Sequence, residues 1–70
     1  MKIQFNWTAE REAGSDLYKL ALRVVRLFHC GSLMAEEAGS ELAKKLGYSG
    51  MIACPSESGV FGDFELYKGE

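Results

Sequence analysis

Residues 47–59 read GYSGMIACPSESG, and how this stretch folds decides the architecture. It follows a well-patterned helix, so the question is whether a helix resumes or the chain becomes extended. A helix through it would carry Gly50 near its start and Pro55 in its middle, costing roughly 1 and 3 kcal/mol. MIAC reads instead as a short apolar run stopped by proline, and PSESG as turn chemistry. The stretch is therefore a strand and a turn, leading into a last strand over VFGDFELYK, residues 60–68. There Phe64 and Leu66 face in, Asp63, Glu65 and Tyr67 face out, and Gly62 marks a bulge.

The helix before it runs from about Leu33 to Leu46, with Ser32 as its N-cap. Its inner face is Ala35, Ala38, Gly39, Leu42 and Leu46, mostly small residues that let two backbones approach. Glu36, Glu37, Ser40, Glu41 and Lys44 face water. Lys44 and Lys45 suit the negative helix end, and Gly47 fits the left-handed position after it.

Further back, LFHCGS at residues 27–32 places a histidine beside a cysteine. Neighbours on a helix point about 100° apart, so His29 is poorly placed to take a proton from Cys30. A helix C-terminus also opposes a thiolate, and Gly31-Ser32 reads as a break and a cap. From Leu17 to Cys30 the period is helical: Leu17, Leu20, Ala21, Val24, Leu27 and Phe28 form one face. Tyr18, Leu22, Val25 and His29 form an adjacent stripe, leaving Lys19, Arg23 and Arg26 in a narrow basic arc. A helix this apolar must be covered from two sides, by a sheet and a second helix or by another chain. A homodimer through residues 17–30 is one way to do so.

The opening KIQFNW alternates, with Ile3, Phe5 and Trp7 on one face of a strand. Thr8 offers a first helix cap, and Ser15-Asp16 a second start beyond Gly14. The order of elements is strand, helix, helix, strand, strand. It predicts an α+β fold, β-α-α-β-β, with a three-stranded, mainly antiparallel sheet and two helices on one face. If every element reverses direction, Met1, Cys30, Cys54 and the Pro55–Gly59 loop share one end. The Thr8 entry, Tyr48–Gly50 and the C-terminus share the other.

Seventy residues enclose a single core, so residues 1–70 are expected to form one domain. The net charge of −2 gives no basic excess, which argues against direct nucleic-acid binding. No apolar run is long enough to span a membrane and no signal-peptide core follows Met1, so a cytoplasmic protein with reduced thiols is expected. Whether Cys30 and Cys54 pair is left open by their spacing. One histidine and no paired cysteine spacing make a zinc or thiol site at His29, Cys30 and Cys54 a secondary alternative. No cofactor, no metal and no catalytic residue are expected.

Two resemblances bear on function. ELAKKLGYS, Glu41 to Ser49, resembles the opening of helix-turn-helix regulators, E-L-A-x-x-L-G-x-S, which implies a DNA-binding regulator. Such a protein needs a basic recognition helix next, and GMIACPSESG has neither Lys nor Arg. Size, acidity and the compact helix-plus-sheet plan resemble small phage-encoded inhibitors of the anti-CRISPR type, a likeness of class and not of motif. It implies a stoichiometric inhibitor in the bacterial cytoplasm whose partner is a CRISPR effector subunit or another defence complex. The partner-binding residues expected on that reading are Glu57, Asp63, Glu65 and Tyr67, followed by Glu36, Glu37 and Glu41.

Overall fold

A computed structural model describes residues 1–56 and 62–68. Its elements are β1 (Lys2–Gln4), α1 (Trp7–Ala13), α2 (Asp16–His29), α3 (Met34–Lys45), β2 (Met51–Pro55) and β3 (Asp63–Lys68). The strands form one antiparallel sheet in the order β1-β3-β2. This is the α+β class that the patterning predicts, with one short helix added. Beyond Ser49 the described residues form two extended, antiparallel strands, β2 and β3, as Gly50 and Pro55 require.

The added helix corrects the reading of the N-terminus. Trp7 is buried, as the alternation implied, but it opens α1 and does not continue β1. Asn6, not Thr8, is the cap, its side-chain oxygen accepting from the Ala9 N–H at 3.1 Å. Ser15 caps α2, accepting from the Tyr18 N–H at 3.1 Å, while its hydroxyl donates to Glu10 Oε2 at 2.6 Å. Gly31 ends α2 with φ 67°. Its N–H donates to Phe28 O and the Ser32 N–H to Leu27 O, the paired bonds of a Schellman turn. The glycine in LFHCGS is thus a helix terminator. Ser32 lies one place further out than expected: Leu33 occupies the cap position, and the Ser32 hydroxyl accepts from the Met34 N–H at 3.2 Å.

An extra reversal between β1 and β2 accounts for a second correction. Pro55 and Ile3 both pair with Phe64, whereas Met51 pairs with Lys68. Met1 exchanges backbone hydrogen bonds with Leu66. β1 therefore runs parallel to β2, and Met1 lies level with Leu66 and Ala53 at mid-sheet, so the start of β1 points toward the Tyr48–Gly50 turn and its end toward Pro55. The break at Gly14-Ser15 changes the parity of the chain path. Gly62 is likewise no bulge inside a strand. It is a turn residue immediately before β3, and its carbonyl accepts from the Phe5 N–H.

The core is Phe5, Trp7, Leu20, Ala21, Val24, Ala38, Leu42, Ala43, Ala53, Phe64 and Leu66. Phe5, Trp7, Tyr18 and Phe64 form a cluster of tilted and edge-on rings, with centroids 4.9 Å apart for Phe5–Trp7 and 5.6 Å for Trp7–Tyr18. Rings at these distances add to their burial through quadrupole interaction, and they join the end of β1 to α1, α2 and β3. Ala53 pairs with Leu66, which directs its own hydrogen bonds to Met1. The Ala53 carbonyl consequently faces the outer edge of β2. There α3 lies so close that a Cβ on Gly39 would sit 2.5 Å from Ala53 O and 2.8 Å from Ile52 Cγ2. Helix α3 thus seals an edge strand that would otherwise be open to pairing. Pro55, which lacks an N–H, fits such an edge.

Candidate functional site

Side chains of residues paired across an antiparallel sheet share a face. Lys2 pairs with Glu65, Gln4 with Asp63, Cys54 with Glu65 and Ile52 with Tyr67. The outer face therefore carries Asp63, Glu65 and Tyr67 as predicted, with Cys54 and Ile52 beside them. The expected carboxylates are not equivalent. Asp63 is 11% exposed in its side chain, and its Oδ2 lies 3.9 Å from the Lys2 ammonium. Glu65 is half-buried and accepts a hydrogen bond from the Tyr67 hydroxyl at 2.5 Å. Glu36, Glu37 and Glu41 are exposed on α3. Glu57 lies outside the described residues.

Cys54 connects the two groups of carboxylates. Burial pushes its thiol above the ordinary value of 9.0, and Glu36 from α3 and Glu65 from β3 push it further the same way. Both carboxylates are thus near enough to act on one half-buried sulfur. The sealing of β2 by α3 creates this arrangement, because the close approach at Gly39 brings the first turn of α3 against the far half of β2. The carboxylates of α3 and of the outer sheet face, expected as separate patches, thus approach each other at Cys54 through Glu36 and Glu65.

The other sequence candidates are dispersed. His29 and Cys30 are exposed at the end of α2, and Cys30 and Cys54 are both free thiols. Among the described residues no group of three or more His, Cys, Asp or Glu side chains is arranged to hold a metal ion. After the helix that resembles a helix-turn-helix opening comes β2, not a recognition helix. Among the described residues no helix is long and apolar enough to cross a membrane.

One feature was not read from the sequence. Trp7, Thr8 and Arg11 of α1 face Tyr18, Leu22 and Val25 of α2 across an apolar cleft of about 130 Å³. The apolar half of this cleft was visible as the second stripe of α2. Its opposite wall depends on α1, which the strand-like alternation of Ile3, Phe5 and Trp7 concealed. No protein family, curated protein or solved structure matches this chain.

Proposed function

We propose that this protein is a non-catalytic interaction module that binds a protein partner through its acidic surface. The observation that supports it is the convergence of Glu36 and Glu65 on Cys54, where the carboxylates of α3 and of the outer sheet face approach each other. A thiol kept protonated by burial and two carboxylates is the reverse of an activated nucleophile. This favours a binding role over a thiol enzyme. The finer form of the reading, from the class-level likeness to anti-CRISPR proteins, is stoichiometric inhibition in the bacterial cytoplasm. The acidic patch would then occupy a basic surface where a defence complex binds nucleic acid.

The test compares wild type with a Glu36→Lys, Glu65→Lys variant as bait in a bacterial lysate. The reading expects wild type to retain one dominant protein in near-equal amount, retention to weaken with salt, and the variant to lose it. A DNA or RNA oligonucleotide that competes for the captured partner supports the inhibitory form. Equal capture by both baits, or none by wild type, rejects the acidic surface. Asp63→Lys alone has the smaller effect, because Asp63 is mostly buried and paired with Lys2.

A further inference from the structure

Two surface features on opposite ends of α2 match each other. The first is the apolar cleft between α1 and α2, walled by Trp7, Tyr18, Leu22 and Val25. At about 130 Å³ it is well below the ~300 Å³ of a small-molecule site and holds one large aliphatic side chain. Its one charged lining residue is the cation Arg11, with exposed Glu12 and Asp16 near it in sequence. Lys19 and Arg26 flank the Tyr18–Leu22–Val25 stripe at helical spacing. All three cations are exposed, and among the described residues none is in an ion pair.

The second feature is the α2–α3 turn. Leu33 is 91% exposed there, Met34 49% and Phe28 41%. Single exposed apolar residues are ordinary, but three large ones at one turn form a patch. Exposed Glu36 and Glu37 follow in the first turn of α3. This end of the chain is apolar and anionic, and the cleft is apolar with the cation Arg11 in its lining.

A symmetric dimer that packs α2 on α2 does not use this match. A two-fold antiparallel pairing along the Tyr18–Leu22–Val25 stripe brings the same flank of both helices together, setting Lys19 of one copy against Arg26 of the other. Like charges so placed oppose association. An acidic element is needed over the cleft, and the chain carries one.

We infer that a second copy of this chain docks its α2–α3 turn into the cleft, with Leu33 as the anchor in the apolar space. Glu36 and Glu37 then face Arg11 and Lys19. Each copy offers one turn and one cleft, so the contact is made twice when two copies exchange turns. Glu36 and Glu37 also belong to the acidic surface proposed above, so self-association and partner capture compete for them. Leu33→Asp, which removes only the self-contact, should leave lysate capture intact, and failure of that capture leaves the self-contact standing.

Sedimentation across a range of protein concentrations tests it, at low and at high salt. The expected result is concentration-dependent association that weakens with salt, accompanied by a shift in emission from Trp7, the one tryptophan and part of the cleft wall. Leu33→Asp abolishes association. Charge reversal of the cleft (Arg11→Glu, Lys19→Glu) or of the turn (Glu36→Lys, Glu37→Lys) weakens it by about tenfold or more. All five positions are exposed, so circular dichroism should be unchanged. Mixing the two reversed proteins restores association, because each cleft then meets a turn of opposite charge. A wild type that stays monomeric at millimolar concentration overturns the inference. So does association that survives Leu33→Asp, or a mixture of the reversed variants that stays apart.

Discussion

Helix α2 is flanked by two neighbours that meet it differently. Toward α3 and β2 the contact is closed: Ala21, Leu42, Ala43 and Ala53 are wholly buried, and Gly39 brings the α3 backbone against the β2 carbonyls. Toward α1 it is open, with a cleft between Trp7 and Arg11 on one side and Tyr18, Leu22 and Val25 on the other. Small residues produce the first contact, because only they let a helix reach a strand edge. A large ring and a long cation line the second. The closed side fixes the fold and the open side leaves surface for a partner, so substitutions on the two sides should separate stability from binding.

The largest expected effects fall in the closed core. Phe64→Ala removes a ring that is 1% exposed and touches Phe5 and Trp7, for a loss of about 3–5 kcal/mol in urea unfolding. A core this small nets only about 3–5 kcal/mol in total, so that variant should be largely unfolded. Leu42→Ala should cost about 2–5 kcal/mol. Val25→Ala, at the cleft, should lose about 1 kcal/mol, since its side chain is already half-exposed. Equal losses for Leu42→Ala and Val25→Ala would erase the contrast between the two sides.

The α1–α2 junction is comparable to the cleft. Ser15→Ala removes both the cap of α2 and the bond to Glu10, and should cost about 1 kcal/mol with little change at the acidic surface.

The two cysteines sharpen the comparison with the smallest effect. Native alkylation near neutral pH should modify exposed Cys30 several-fold faster than Cys54, and the difference should vanish in urea. The Cys54 thiol is raised above 9.0 in the folded chain. Its preference for the protonated state therefore adds stability at pH values below that, which is lost as pH rises through the higher folded value. Wild type should lose more stability above pH 9 than Cys54→Ala does; parallel pH profiles would contradict the buried placement of the thiol.

Much of the fold was legible because local chemistry and global placement agree. Pro55 and Gly50 forbid a helix after Ser49, Gly31 ends a helix where a break was expected and Gly47 does so in the expected left-handed turn, and β3 buries Phe64 and Leu66 while turning Glu65 out. The start of the chain was not legible. Ile3, Phe5 and Trp7 alternate like a strand, yet Asn6 caps a helix, and the aromatic cluster buries Trp7 either way. That one boundary added a reversal and made β1 run parallel to β2 instead of against it. At the candidate site, the acidic residue types were legible and their union was not. The small-residue face of α3 signals a close approach, but nothing local says that its partner is the edge of β2, which is what sets Glu36 beside Cys54.

The closed contact can be tested by adding one methyl group. Gly39→Ala should unfold in urea with a loss of about 1–3 kcal/mol, since its Cβ would meet Ala53 O and Ile52 Cγ2 inside van der Waals distance. Arg11→Glu with Lys19→Glu, measured beside it, should stay within about 0.5 kcal/mol of wild type. A Gly39→Ala protein as stable as wild type would mean that α3 does not seal β2, and the acidic surface built on that contact would go with it.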